Sequence, residues 1–216
     1  LCVKGFCFYG SENKLQTEVR MKRVGIFGGS FNPPHIGHLK LVRAAAEQLA
    51  LDKVLIIPAL NPPHKDNSEL ASAQDRLNMC RLAFRNELFE ISDIELRREG
   101  KSYTVDTLKE IKKERPGDKL FLIIGSDMLL SFHTWKDYRE ILNLATLAAA
   151  IREGESSRPL IDYKNKFLQG HNVVILEFTP IPISSTEIRE GISKAEIKEF
   201  LVPEVKEYIE SRMLYR

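Results

Sequence analysis

Residues Lys22–Leu39, KRVGIFGGSFNPPHIGHL, decide how this chain folds. Val24, Ile26 and Phe27 form a short apolar run of the kind that makes a buried strand. Gly28 and Gly29 are then expected to allow a tight turn and a close approach of backbone to a ligand. Pro33 and Pro34 exclude a helix before them, so residues 30–34 read as a rigid loop. Beyond Ile36 the apolar spacing becomes helical, through Leu39, Val42, Ala46 and Leu49, with Leu41 and Ala45 widening the face. A strand therefore passes through a glycine-rich turn into a helix that carries His35 and His38 at its start. Unpaired N–H groups and the positive end of the helix dipole meet there, which makes an anion site. Two imidazoles three residues apart share one face of a turn and can donate to one phosphate chain. The plainer alternative, that His35 caps the helix and His38 packs in the core, stays open. The stretch is neither a Walker A loop nor a GxGxxG fingerprint, because no Gly-Lys-Ser/Thr follows and the glycine spacing differs.

The remaining chain alternates strands and helices. Strands are expected at Lys53–Ile57, Phe89–Ile91, Leu120–Ile124, Ala145–Ile151 and Val173–Phe178. Ser72–Asp75 reads as a helix cap, Ser102–Thr107 opens another helix that Pro116-Gly117 ends, and Ser184–Glu187 is a capping box. Arg152–Gly170 reads as a polar loop with a short helix late in it. A final amphipathic helix starts at Pro203 and turns Val205, Tyr208 and Ile209 inward. Such alternation implies an α/β fold, a doubly wound and mostly parallel sheet with helices on both faces. The expected order is 3-2-1-4-5, with the sixth strand at or near the far edge. The loops after strands one and four then meet at the topological switch point, where such sheets bind ligands.

Length and composition narrow the possibilities. The chain has 216 residues, a net charge of +2 and 43 % hydrophobic residues, which suit one soluble α/β domain and give no argument for a nucleic-acid partner. No apolar run reaches membrane-spanning length. Cys2, Cys7 and Cys80 have no metal-site spacing, and their odd number suits a reduced, cytoplasmic setting. Residues 1–20 lack a signal-peptide core and read as an extension outside a domain spanning 21–216, with an added edge strand as the alternative.

GGSFNPPHIGHL resembles the signature of the HIGH-motif nucleotidyltransferases. The segments NPPHK, Arg76-Leu77-x-Met79, SYTVDTL, IGSD before Phe132-x-x-Trp135-Lys136, and ISSTEIR extend that likeness over most of residues 22–212, and together they resemble the nicotinate-nucleotide adenylyltransferases. Ser30 stands where threonine is common in that family. The resemblance implies a Rossmann-like nucleotidyltransferase fold and transfer of AMP from ATP to the 5′-phosphate of nicotinate mononucleotide, in NAD biosynthesis, with release of pyrophosphate. It further implies that His35, His38, Lys65 and Arg189 stabilise the transferring phosphates. Gly28, Gly29, Ser30, Phe31, Gly125, Ser126, Asp127, Ser184, Ser185 and Thr186 would line the ATP. Lys65, Arg76, Tyr103, Thr104 and Trp135 would receive the mononucleotide. Mg2+ would arrive on ATP, with no metal ligands from the chain. The expected partners are the two nucleotides, not a nucleic-acid polymer or a membrane, and a homo-oligomer is left open. Two rival readings remain: a nucleotide sensor that keeps the pocket without the chemistry, and nucleotidyl transfer to another phosphate monoester. Trp135 itself reads either as a stacking platform or as a core anchor.

Overall fold

The computed structural model describes residues 20–61, 70–152 and 156–216. In chain order its elements are β1 (Arg23–Gly29), α1 (Ile36–Gln48), β2 (Lys53–Pro58), α2 (Ala73–Ala83), β3 (Phe89–Ile91), α3 (Thr104–Glu114), β4 (Lys119–Gly125), α4 (Ser126–Leu130), a 3-10 turn (Phe132–Thr134), α5 (Tyr138–Leu144), β5 (Ala145–Arg152), α6 (Arg158–Phe167), β6 (Val173–Phe178), α7 (Ser185–Glu190), α8 (Ala195–Lys198) and α9 (Pro203–Ser211). The strands make one sheet in the order β3-β2-β1-β4-β5-β6, with every pairing parallel. This is the order read from the sequence.

Strands buried on both faces read as continuous apolar runs, and alternate residues here feed two cores. Val24 and Ile26 of β1, with Leu120, Leu122 and Ile124 of β4, pack against α3, α5 and α6. Phe27, Phe121 and Ile123 point the other way, against α1, α2 and α9. Helices thus leave β1 and β4 toward opposite faces of the sheet, and the crevice between those strands opens at their carboxyl ends.

Three expectations change at the level of elements. Gly28 and Gly29 do not turn; both stay in β1, opposite Ile57 and Pro58 of β2. The chain reverses at Phe31 instead, a non-glycine residue at φ 47°. The helix expected late in the segment Arg152–Gly170 is longer than the short one read from the sequence, ten residues in α6, because Leu160 and Tyr163 supply a buried stripe among charged neighbours. The short helix α8 was not expected. No helix among the described residues is long and apolar enough to cross a membrane. Residues 1–19, the bulk of the expected extension, lie outside the described residues, as does Lys65.

Candidate active site

The crevice between β1 and β4 holds a cavity of about 490 Å³. Gly28 and Gly29 at the end of β1, Ser30 of the loop that follows and His38 of α1 line it on one side, and Gly125 at the end of β4 and Met128 of α4 line it on another. Tyr103, Thr104, Thr107, Trp135 and Lys136 make another part of its wall, with Glu95 and Ser102 beside them. A Cβ on Gly125 would meet nothing within 4 Å, so the glycine leaves open floor.

The two histidines divide their roles. The His35 N–H donates to Nδ1 of His38 at 3.2 Å, so the His38 side chain caps the first turn of α1. With Nδ1 accepting, the proton of neutral His38 sits on Nε2. His38 therefore presents an N–H donor on an imidazole that lines the cavity. His35 is only 6 % exposed, and desolvation lowers its pKa to about 4, against a smaller upward pull from Glu187. It is neutral at physiological pH, and its Nδ1 is buried without a hydrogen-bond partner among the described residues. The rings lie 3.7 Å apart, centre to centre. Gly37 permits this packing: a Cβ there would sit 2.9 Å from Nδ1 of His35. The plainer sequence alternative is thus half right: His35 is the N-cap residue of α1, joined to His38 in a capping box, but the buried ring is that of His35 and not of His38.

The loop between the strand and the histidines is held from several sides. Arg76 is 1 % exposed. Its guanidinium donates to the carbonyls of Ser30 at 2.8 Å, Ala59 at 2.6 Å, Ala71 at 3.1 Å and Leu60 at 3.3 Å. Burial of an arginine needs such partners, and these leave it turned away from the cavity. Arg76 is therefore a strut joining the ends of β1 and β2 to α2, not the expected mononucleotide ligand. Phe31, 1 % exposed, is likewise a core residue rather than an ATP contact. Its ring packs edge-on against His38 at 5.3 Å and Phe27 at 5.6 Å, backing the imidazole.

The helix α7 closes the far side of the loop. The Ser184 hydroxyl accepts the Glu187 N–H at 3.2 Å, and the Glu187 carboxylate accepts the Ser184 N–H at 2.8 Å, which completes the capping box. These Ser184 bonds hold the Glu187 carboxyl below its usual pKa. Ser185 donates to the Pro33 carbonyl at 2.9 Å, and Arg189 donates to the Asn32 carbonyl at 3.1 Å. Ser184, Ser185, Thr186 and Arg189 are thus brought against the loop that carries His35, though none lines the cavity wall. Ser126 and Asp127 start α4 next to Gly125 and also stay out of the wall; Asp127 is exposed.

Several residues of the site were not among the sequence expectations. Asn32, 2 % exposed, accepts on its side-chain oxygen from the Ala71 N–H at 3.0 Å and from Tyr215 at 2.8 Å. Tyr215, near the C-terminal end of the described chain, has its phenol pKa raised by burial. Glu95 and Lys136 join the wall in the same way. Glu95 stands between Ile94 and Leu96, an apolar setting that was the one available hint of burial. Trp135 packs on Phe132 with ring centres 5.1 Å apart and also lines the cavity, so it is both anchor and wall. Among the described residues no group of three or more His, Cys, Asp or Glu gathers as for a metal ion.

The arrangement offers hydrogen-bond donors at one part of a crevice and aromatic faces at another, which suits a phosphorylated compound bearing a flat ring. Comparison with known proteins agrees. A family model described as cytidylyltransferase-like matches residues 26–191. A protein of Shouchella clausii named "Probable nicotinate-nucleotide adenylyltransferase" is 40 % identical over 197 residues, covering 90 % of this chain and 97 % of its own. One of the same name from Halalkalibacterium halodurans is 40 % identical and covers 91 % and 92 %. In structure, the Plasmodium falciparum nicotinic acid mononucleotide adenylyltransferase complexed with NaAD superposes with a TM-score of 0.73 at 20 % identity, covering 90 % of this chain and 97 % of that one. The chain belongs to the cytidylyltransferase-like family and, within it, to the nicotinate-nucleotide adenylyltransferases.

Proposed function

We propose that this protein transfers the adenylyl group of ATP to the 5′-phosphate of nicotinate mononucleotide, forming nicotinate adenine dinucleotide and releasing pyrophosphate, a step of NAD biosynthesis. The observation that carries the reading is one cavity lined both by the His38 imidazole with the glycines of β1 and by Tyr103 and Trp135. Relatives at 40 % identity, matched over nearly their full length, carry the corresponding name.

A phosphate monoester is already anionic at neutral pH, so its oxygen attacks the α-phosphorus without a general base. The bond from that phosphorus to the bridging oxygen breaks, and its electron pair leaves with pyrophosphate. The protein positions the two nucleotides and stabilises the charge that develops. We assign to Nε2–H of His38 a hydrogen bond to a transferring phosphate oxygen, given by a neutral ring whose orientation the His35 N–H sets. His35 stays neutral and packs behind it. Ser184–Thr186 and Arg189, held against the same loop, are assigned to the remaining phosphates. Lys65 is kept as a further cation on the strength of the NPPHK resemblance. A divalent cation such as Mg2+ would be carried by the triphosphate and would supply charge neutralisation there. The groups assigned here, imidazole, hydroxyl, guanidinium and ammonium, are donors that suit phosphate oxygens rather than a metal. Tyr103, Thr104 and Trp135 are assigned to the pyridine end, where an indole face stacks on a flat ring. A cytosolic setting accords with Cys80, which is free and buried.

Pyrophosphate release, measured with ATP and a panel of pyridine and non-pyridine mononucleotides, tests the reading. Turnover is expected with nicotinate mononucleotide. Binding without turnover would leave a sensor, and turnover only with a different monoester would reassign the substrate.

A further inference from the structure

Glu95 is a carboxylate in the cavity wall, 7 % exposed. Burial at that level is costly unless the charge is bonded on several sides, and here it is. Thr107 donates its hydroxyl to Oε1 at 2.7 Å. The Arg98 guanidinium lies 3.8 Å from Oε1 and also donates to the Thr107 hydroxyl. Desolvation still outweighs these partners and raises the carboxyl's pKa.

The residues beside Glu95 in the wall belong to two segments that shape the cavity. The Ser102 oxygen accepts the N–H groups of Leu60 at 3.1 Å and Asn61 at 3.4 Å, so it clamps the loop leaving β2. Thr107 sits in the first turns of α3. Between Ser102 and Thr107 on the chain lie Tyr103 and Thr104, which line the cavity. The Tyr103 ring is met by Lys136, with Nζ 4.4 Å from its centre, next to Trp135. One buried carboxylate therefore holds the start of α3 at Thr107, while Ser102 clamps the β2 loop, and these two anchors bracket Tyr103 and Thr104.

We propose that Glu95 is a positioning residue for the mononucleotide subsite: through Thr107, whose hydroxyl also lies 3.4 Å from the Tyr103 carbonyl, it holds Tyr103 and Thr104 in their place beside Trp135. The proposal rests on the reaction assigned above. It makes the affinity for the mononucleotide, rather than for ATP, depend on a residue that need not touch either nucleotide.

The sole tryptophan of the chain, Trp135, reports the test directly, because its fluorescence is expected to change as nicotinate mononucleotide fills the cavity. Glu95→Gln and Thr107→Val, in the full-length protein, are each expected to raise the mononucleotide Kd and KM about tenfold or more, the scale of a small misplacement of a positioning group. The KM for ATP should stay within about twofold. Because both residues act through one tie, the double variant should bind no worse than the weaker single. Unchanged mononucleotide affinity, an equal rise in both KM values, or additive losses would overturn the proposal. Should Glu95→Gln not fold, Thr107→Val carries the same measurements and the same criteria. A parent protein that neither binds nor turns over nicotinate mononucleotide would overturn the assigned reaction, and this inference with it. A parent that binds while the variants bind equally well overturns the inference alone.

Discussion

A neutral imidazole is a less obvious phosphate ligand than an arginine, and its value here comes from orientation. His38 is held by the bond from His35 N–H on one side of its ring and by the Phe31 ring against its face, so its donor needs no reorganisation when charge develops. His38→Ala should lower turnover by about 10²-fold or more, as loss of one preorganised donor typically does, while the affinity for ATP changes much less; steady-state kinetics with an ATP binding titration checks this. Gly37→Ala tests the support. Its Cβ would displace the buried His35 ring, and turnover should fall although no donor has been removed. Acid stability reads out His35 itself. Its folded-state pKa of about 4 lies below the unfolded value of 6.5. Below pH 6.5 the unfolded chain takes up a proton that the folded one refuses, so stability declines from there toward pH 4. The full effect is on the order of 3 kcal/mol. Urea unfolding at pH 7 and pH 4.5 should show that loss in the parent, and His35→Asn should reduce it.

Between elements, the loop from Ser30 to Pro34 is held by its neighbours more than by its own bonds. Arg76 from α2, Tyr215 from the chain end, and Ser185 and Arg189 from α7 all bond to its backbone or to Asn32. Arg76→Lys replaces a planar fork with one point charge and strips several buried carbonyls of their donor, at a cost of about 3 kcal/mol or more. Thermal melting should show that loss directly. The KM for the mononucleotide should stay near the parent value in a variant that still folds; a selective rise would return Arg76 to the substrate-contact role that its place in the sequence suggested. Tyr215→Phe removes a single hydroxyl and should cost about 1 kcal/mol, with turnover falling because the loop beneath His38 loosens. A Tyr215→Phe protein with unchanged turnover would show that the other partners of Asn32, Ala71 and Arg189 among them, hold the loop well enough.

Across the whole molecule, the sheet sets where all of this happens. β1 is central, paired on one edge with β2 and on the other with β4, and no signature motif or helix start lies in the sequence of residues 1–19. Deleting residues 1–19 should therefore leave melting temperature and turnover nearly unchanged, and a large drop in either would show that those residues do support the domain. What the sequence determined alone was everything written in local patterns. Apolar runs without alternation marked strands buried on both faces. Serine followed three residues later by a carboxylate marked helix starts at Ser72 and Ser184, where the structure has both. The βα alternation then left one handed topology, with the site at the switch point. Tertiary structure decided which way the side chains face. A cation near a loop looks the same in sequence whether it binds a nucleotide or carbonyls, and only the meeting of Ser30, Ala59, Leu60 and Ala71 around Arg76 distinguishes them. The Glu95–Thr107 bond and the Ser102 clamp on the β2 loop likewise join residues from separate segments. No local spacing encodes such a cluster, because its members become neighbours only when β2, β3 and α3 are packed together.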